Sequence, residues 1–388
     1  MTVNAGAGIS THADPLVAGV VAAQQAAAEL GNSEVDLALV FASGTHLAAP
    51  EATLEGVHGV LAPSALLGCG AGGVLSGTRE LEDETAVAVW AASFDGASEA
   101  TPFHASLIGD ESESVVDGLP VLDGATGALM LSDPYSFPTD AALAHFAAQA
   151  PMVPVLGGLA SARTDAGAGA LFLGEEVHDE GAVGVTLRGV ELLPCVSQGA
   201  APVGRELTIT SATDNVIHEL AGRPAVETVE RIIGELSVRE RALVAGGLLI
   251  GIVIDSGKPE YEQGDFLVRG VLGADPDSGS LVVGAHVHEG QIVRLHARDA
   301  QSADEDLRHA LRLRVEALAG KPPAGAIVFS CNGRGRSMFG VPDHDALAVA
   351  RELGGAPAAG FFAAGEIGPV GGRSFLHGFT ATVAVFAG

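Results

Sequence analysis

A run of polar residues follows a strongly apolar segment near the C-terminus, in the order Ser330, Cys331, Asn332, Gly333, Arg334, Gly335 and Arg336. The apolar segment, residues 326–329, predicts a buried strand, and a predicted helix begins near Asp343. A glycine-rich corner between a strand and a helix exposes backbone N–H groups that can receive an anion. We therefore predict a ligand-binding corner whose contacts are Ser330, Cys331, Asn332, Gly333, Arg334 and Arg336.

This corner lacks the two common nucleotide-binding motifs. Met338 stands where the dinucleotide fingerprint needs a glycine, and no Gly-Lys-Ser/Thr sequence of a P-loop is present. Arg334 or Arg336 could instead pair with the carboxylate of a small ligand. The alternative is a structural role, in which either arginine ties the corner to an acidic neighbour.

Glu366 places a carboxylate after Gly365, at the end of the apolar run 357–364. A buried carboxylate is costly unless it is paired, so we expect it beside a structural arginine such as Arg373 or in contact with a ligand ammonium. If the arginine-rich corner and Glu366 face one cavity, the site carries both charges and suits an amino acid.

A catalytic interpretation of the same corner uses Cys331 as nucleophile, His377 as base and Glu366 as a third group. Against it, no Gly-x-Ser-x-Gly elbow or other nucleophile signature surrounds the cysteine. A cysteine that ends a buried strand typically behaves as a small hydrophobe. We therefore predict a protein that is not an enzyme, with a cysteine-dependent hydrolase or transferase as the alternative.

Neither a metal site nor a cofactor is predicted. His286 and His288 would share one side of a strand predicted over residues 281–288, but spacing suggests no third ligand. The three cysteines lie far apart without a CxxC motif, which argues against a zinc site or a disulfide framework and fits a reducing compartment.

The unit that positions the corner is a buried strand, a polar corner, a helix and a second strand entered through a proline, and it occurs three times. Its copies pair residues 35–43 with 63–73, 128–133 with 154–161, and 326–331 with 357–366. In the first copy, Ser43 and Cys69 lie on the two strands and are predicted ligand contacts. Because each copy leaves an apolar face uncovered, the copies must pack on one another. The predicted fold is mixed α/β, with helices covering mixed sheets in two pseudo-related halves and the strand-end corners converging on a cavity.

Local patterns predict further elements. Residues 3–10 form a first strand, and an alanine-rich helix capped by Thr11 or Asp14 then ends at Gly31. Residues 170–187 form a hairpin that turns near Glu180 and Gly181.

Several ordered sequence blocks resemble the FIST family, a proposed sensory domain. The blocks are residues 203–210, 215–225, 264–269, 298–303, 329–335, 360–367 and 377–380. The sequence departs from this pattern at Gly72-Gly73, where the related C-terminal block has Gly365-Glu366. The resemblance implies an N-terminal-like domain over residues 1–204 and a C-terminal-like domain over residues 205–388. It also implies a small-molecule sensor, with an amino acid or related small carboxylate as ligand, His377 near the site and an output through a partner protein.

The net charge of -28 is unevenly distributed, because residues 1–150 hold one basic side chain, Arg79, against nineteen Asp and Glu. Such a surface repels nucleic-acid phosphates and anionic lipid headgroups. The acidity is either a solubility feature or a docking face for a basic partner, as in an acidic interaction scaffold. The N-terminus has no signal-peptide pattern and no apolar run is long enough to span a membrane, so we expect a cytoplasmic protein.

Overall fold

The computed structural model describes residues 3–96, 98–109, 115–162, 170–261 and 264–388, and its fold is mixed α/β as predicted. The helices are α1 (Pro15–Leu30), α2 (Pro50–Leu61), α3 (Thr139–Gln149), α4 (Ala225–Glu235), α5 (Val238–Ala245), α6 (Ala300–Ala317), α7 (Gly335–Phe339) and α8 (His344–Glu352), with a 3₁₀ turn over Gly44–Ala48. The strands are β1 (Val3–Ser10), β2 (Leu37–Ser43), β3 (Ala65–Ala71), β4 (Gly73–Ser76), β5 (Arg79–Glu82), β6 (Ala86–Phe94), β7 (Glu99–Ile108), β8 (Val115–Asp117), β9 (Gly127–Ser132), β10 (Val155–Leu159), β11 (Leu171–Leu173), β12 (Glu176–His178), β13 (Ala182–Arg188), β14 (Leu192–Gln198), β15 (Ala200–Thr213), β16 (Val216–Leu220), β17 (Arg223–Pro224), β18 (Leu248–Val253), β19 (Phe266–Asp275), β20 (Ser280–Val283), β21 (Ile292–Arg298), β22 (Pro323–Cys331), β23 (Ala358–Ala363), β24 (Glu366–Val370), β25 (Arg373–His377) and β26 (Thr380–Ala387). Within the described ranges, no helix is both long and apolar enough to span a membrane.

The chain forms two compact units. The first comprises Met1–Val196, Leu307–Leu376 and Ala381–Gly388, and the second comprises Ser197–Asp306 and His377–Thr380. The longer segment of the second unit therefore begins near the end of β14 and ends within α6. The division into an N-terminal-like domain over residues 1–204 and a C-terminal-like domain over residues 205–388 comes from the family resemblance, and it stays a prediction.

The first unit contains the three predicted copies, and each is a parallel strand–helix–strand unit. The parallel pairs are β2 with β3, β9 with β10, and β22 with β23. Every residue of β2, β3, β9 and β10 is buried. Parallel strands covered on both faces are apolar throughout, which is why these segments show no polar alternation. The sequence prediction of three repeated units is confirmed.

Each copy also supplies an antiparallel neighbour for its own first strand. These pairs are β6 with β2, β13 with β9, and β26 with β22. A further strand pairs with each neighbour, namely β1, β7 and β14, and β7 in turn pairs with the edge strand β8. The three sheets consequently share a common order of six strands, to which the sheet of the second copy adds β8.

The copies exchange hairpins. The hairpin β4–β5 of the first copy pairs with β23 of the third, and β11–β12 of the second pairs with β3 of the first. The hairpin β24–β25 of the third copy completes the cycle by pairing with β10 of the second. Each sheet is therefore finished by another copy, and one apolar core is shared by all three sheets. In that core, Phe361 packs against Phe41 and Phe329, with ring centroids 5.0 and 5.8 Å apart.

One glycine in the second strand of each copy shows which residues of the three copies hold equivalent positions. A Cβ atom on this glycine would overlap the backbone carbonyl oxygen of a residue in the first strand. The pairs are Gly68 with Val40, Gly157 with Met130, and Gly360 with Val328. By this alignment, Ser43, Asp133 and Cys331 hold equivalent positions at the strand ends.

Two sequence predictions about antiparallel elements are wrong. Residues 170–187 do not form one hairpin, because β11 pairs with β3 and β12 while β13 pairs with β7 and β9. Six of the seven residues of β13 are buried, so this strand needs a neighbour on each side. The strand predicted over residues 281–288 ends at Val283, and His286 and His288 follow it as exposed residues.

The second unit is an antiparallel barrel. Its strands follow the order β15, β21, β18, β19, β20 and β16, and a pairing between β16 and β15 closes the ring. Closure leaves no unpaired edge among these six strands. Apolar residues of the strands and of α4, including Ile209, Val229, Ile250 and Leu295, form its core.

Candidate functional site

Strand ends from all three copies line one cavity of about 380 Å³ in the first unit, here called the strand-end cavity. Small-molecule sites typically occupy about 300–1,000 Å³, so this volume suits a small ligand. Its lining residues are Gly44, Leu47, Ala71, Gly72, Gly73, Glu82, Asp83, Ser161, Asn332, Ser337 and Phe362.

The repeated fold explains why these residues meet. Gly44 follows β2 and Asn332 follows β22, so both mark the end of a first strand. Gly72 and Ser161 follow the second strands of the first two copies, while Phe362 lies in the second strand of the third. Because carboxyl ends of neighbouring parallel strands lie at one edge of a sheet, the packed copies bring their corners together.

Hydrogen bonds fix much of the polar wall. The Gly72 N–H donates to Ser161 Oγ at 3.0 Å, and this hydroxyl donates to the Phe362 carbonyl. The Ser337 hydroxyl donates to the Arg334 carbonyl at 3.0 Å. Asn332 is an exposed residue, and a Cβ atom on Gly72 would lie 4.0 Å from its Oδ1. The wall therefore combines oriented polar groups with apolar surface from Leu47 and Phe362.

The charged side of the cavity is acidic. Glu82 and Asp83 end the hairpin β4–β5, and the Glu82 carboxylate accepts the Arg336 backbone N–H at 3.0 and 3.3 Å. This contact joins the cavity wall to the first turn of α7. Among the lining residues that the structure describes, no arginine, lysine or histidine occurs.

Arg334 is held in a buried ion pair with Asp345. Its Nε and Nη2 donate to the two carboxylate oxygens at 2.7 and 2.9 Å, and both side chains are almost fully buried. Ser330 Oγ donates to the same carboxylate at 2.8 Å, and His344 Nδ1 lies 3.0 Å from it. The guanidinium also lies over the Phe339 ring, 5.2 Å from its centroid. Of the two roles foreseen for Arg334, the structure contains the pairing with an acidic neighbour.

Electrostatics favour the charged form of this pair. Burial alone raises the pKa of Asp345, but the Arg334 guanidinium and three side-chain hydrogen bonds hold that pKa well below its usual value. Burial likewise lowers the pKa of Arg334, whereas the charges of Asp345, Cys331 and Glu366 raise it by more. Glu366 is therefore one of the charges that raise the pKa of Arg334.

Glu80 is a second buried carboxylate beside the same pair. Its Oε1 accepts the Ala346 N–H at 2.8 Å, and its own N–H donates to Asp343 Oδ1 at 2.6 Å. Burial, followed by the charge of Asp345, raises the pKa of Glu80 to about 7. Glu80 therefore titrates in the neutral range, two residues before the cavity-lining Glu82.

The remaining predicted contacts in the first copy are buried. Ser43 Oγ donates to the Glu84 carbonyl at 2.6 Å, and Ser43 directly precedes the cavity-lining Gly44. Cys69 lies in the shared apolar core, where burial raises the pKa of its thiol well above the usual value. Neither residue lines the strand-end cavity.

In the third copy, only Asn332 of the predicted contacts lines the cavity. Cys331 is buried beside it, and the Gly333 N–H donates to Cys331 Sγ at 3.4 Å. The Gly365 carbonyl accepts the Leu159 N–H at 2.8 Å, and the next residue, Glu366, is fully buried at the start of β24.

Two further candidates, Arg336 and Arg373, are exposed. Arg336 reaches the wall through its backbone N–H bond to Glu82. The Arg373 guanidinium lies over the Phe375 ring, 5.6 Å from its centroid. His377 is buried and belongs to the second unit, whereas Cys331 belongs to the first.

Glu82 and Asp83 were not predicted as site residues, because both lie at the end of a short hairpin that pairs with another copy. Asp345 and Glu80 were likewise not predicted as neighbours of the corner that contains Arg334. One signal was available: Asp345 lies in the first turn of α8, where carboxylates are common and the side chain can point back to the preceding corner.

Two domain models of one family match the chain, and full-length relatives are known. The sequence model of the FIST N domain matches residues 36–223, and that of the FIST C domain matches residues 225–369. The chain is 43% identical over 382 residues to the uncharacterized protein Rv0628c of Mycobacterium tuberculosis strain H37Rv, covering 98% of this chain and 99% of the relative. It is 42% identical over 382 residues to the uncharacterized protein Mb0898c of Mycobacterium bovis, covering 98% of each.

Proposed function

The chain belongs to the FIST family, and from this membership we propose that it is a sensory protein that binds a small molecule in the strand-end cavity. FIST domains are generally regarded as ligand-binding sensory domains of signalling proteins. The observation that carries the assignment to this cavity is the convergence of strand ends from all three copies on its walls.

The proposed ligand is an amino acid or a related small carboxylate. Its ammonium group would contact Glu82 and Asp83, which supply the negative charge of the wall. Its carboxylate would accept hydrogen bonds from the Asn332 amide. Leu47 and Phe362 would pack against an apolar side chain.

The proposed response starts at Glu82. This carboxylate lines the cavity and also accepts the backbone N–H of Arg336, so it touches both the ligand space and α7. In this proposal, the ligand competes with the Arg336 N–H for the Glu82 carboxylate, and α7 has one position with this bond and another without it. The ligand then favours the second position, which is a population shift. A partner protein reads the change, and we propose that this occurs in the cytoplasm without nucleic-acid or membrane binding.

Thermal unfolding in the presence of individual amino acids and small carboxylates tests the proposal. At a ligand concentration about one hundred times Kd, binding adds about 2.7 kcal/mol to the free energy of unfolding. We expect a selective rise in Tm for one chemical class. No rise for any compound, in a protein that unfolds cooperatively and carries no co-purified ligand, would contradict the proposal.

The alternative activity is a hydrolase or transferase reaction at Cys331. The variant Cys331→Ala distinguishes this activity from sensing, because the substitution abolishes turnover if the thiol is the nucleophile. A sensor that uses the cavity retains ligand affinity in this variant. A substrate that is turned over by the parent protein and not by Cys331→Ala would favour the alternative.

A further inference from the structure

The strand-end cavity carries negative charge without a positive group opposite it among its described lining residues. Glu82 and Asp83 are consecutive carboxylates at the end of β5, and the other polar side chains of the wall are neutral: Ser161, Asn332 and Ser337. Among the described lining residues, a cationic group therefore finds charged partners, whereas an anionic group finds only neutral donors. Hydrogen bonds between charged partners are about twice as strong as neutral ones.

The buried guanidinium of the corner already has an anionic partner. Arg334 is buried and forms a two-point ion pair with Asp345, at 2.7 and 2.9 Å. Turning this side chain toward a ligand would leave the Asp345 carboxylate buried without its cation, which is strongly unfavourable. Arg334 does not line the cavity, and its pairing with Asp345 argues against a role as the partner of a ligand carboxylate there.

Most neutral polar groups of the wall already donate a hydrogen bond within the protein, so they are poor donors for a ligand carboxylate. The Ser161 hydroxyl already donates to the Phe362 carbonyl, and the Ser337 hydroxyl donates to the Arg334 carbonyl. The Gly72 N–H is bonded to Ser161 Oγ. A ligand carboxylate would have to break these bonds or rely on Asn332.

We propose that the cavity recognises primary amines through Glu82 and Asp83, that Glu82 determines this specificity, and that an α-carboxylate on the ligand is dispensable. The inference rests on the proposed function, since it names the ligand class of the same site. It predicts that an amine formed by decarboxylating an amino acid binds at least as tightly as the parent amino acid. The apolar part of such a ligand packs against Leu47 and Phe362.

The test compares three compounds that share one apolar group: phenylalanine, 2-phenylethylamine and 3-phenylpropionate. A second set is leucine, 3-methylbutylamine and 4-methylpentanoate. Isothermal titration calorimetry on the full chain gives Kd for each compound. We expect the amine to bind as well as or better than the amino acid, and the acid to bind at least about tenfold more weakly, a difference of 1.4 kcal/mol.

Isosteric variants identify the charge responsible. Glu82→Gln keeps the size of the side chain and removes its charge, and we expect amine binding to weaken about tenfold or more. Glu84→Gln is the matched control, because Glu84 is exposed, lies outside the cavity lining and carries the same charge. Equal loss of affinity in both variants would indicate long-range charge attraction and would overturn the role of Glu82.

The outcomes separate this inference from the proposed function. If the amino acid and the acid bind while the amine does not, the result supports the proposed small-molecule sensor and overturns the inference that the cavity recognises primary amines. If no compound of either set binds and the wider amino-acid panel also leaves Tm unchanged, both the inference and the proposed function fail.

Discussion

At the residue scale, the buried carboxylates of Asp345 and Glu80 interact with each other. Asp345 remains charged because Arg334 donates to both of its oxygens. Glu80 accepts the Ala346 N–H at Oε1, and among the described residues its Oε2 has no hydrogen-bond partner. Burial and the neighbouring charge of Asp345 therefore favour the protonated form of Glu80.

Glu80 should make stability depend on pH near neutrality. Its pKa rises from an ordinary value of 4.5 to about 7 in the folded protein, so the folded state binds more protons between these values. The free energy of unfolding consequently falls as pH rises from about 4.5 to 7, by about 3 kcal/mol in total. Glu80→Gln removes this loss, and we expect the variant to be more stable than the parent at pH 8 and similar near pH 5.

Urea denaturation at several pH values measures the effect. Glu84→Gln, which neutralises an exposed carboxylate in the same segment, is the control. A stability difference between Glu80→Gln and the parent that stays constant with pH would contradict the account of Glu80.

The Arg334–Asp345 pair is expected to be structural. Arg334→Met leaves a buried carboxylate unpaired and should lower the free energy of unfolding by about 3–5 kcal/mol. Adding Asp345→Leu removes the unpaired charge and should recover part of the loss. Chemical denaturation measures both variants, and ligand titration then decides between the two roles foreseen for Arg334. A double variant that folds normally but loses ligand binding would show that Arg334 contacts the ligand.

At the element scale, close approach of paired strands depends on glycine. A Cβ atom on Gly360 would overlap the Val328 carbonyl oxygen, so Gly360→Ala forces the parallel strands β22 and β23 apart. We expect a loss of at least about 1–3 kcal/mol, the usual cost of overpacking. Gly273→Ala in β19 is the matched control, because no atom lies within 4 Å of the added Cβ. Denaturation curves in which both variants lose the same stability would contradict this reading of the strand pairs.

The sequence was sufficient to predict the repeated unit, because its apolar strands and polar corners recur in a fixed order. It also predicted α1 with both ends, since Asp14 caps the helix by accepting the Val17 N–H and Gly31 ends it with a positive φ of 66°. The exchange of hairpins could not be predicted. Three similar sheets offer similar edges to β4–β5, and only the packed core decides which copy it joins. Glu82 and Asp83 therefore could not be predicted as site residues, whereas the corner that contains Asn332 was predicted.

At the scale of the whole molecule, the net charge of -28 favours partners with a basic surface. If the partner that reads the sensor docks on the acidic N-terminal segment, raising ionic strength should weaken the complex by slowing association. Binding kinetics of an isolated partner at low and high salt would measure this. An association rate that does not change with salt would leave the acidity as a solubility feature.

The central claim is that a small ligand occupies the strand-end cavity, and filling that cavity tests it most directly. Gly72 has no positive φ and its added Cβ would meet only atoms at 3.5 Å or beyond, so Gly72→Leu places a side chain in the cavity without backbone strain. Gly234→Leu on α4 is the matched control, because its Cβ meets no atom within 4 Å.

The measurement is calorimetric titration of the parent and both variants with the compound that gives the largest rise in Tm. The account predicts binding to the parent and to Gly234→Leu, and no measurable binding to a Gly72→Leu variant that unfolds at the parent's temperature. Undiminished binding to Gly72→Leu would contradict it and place the ligand elsewhere in the molecule.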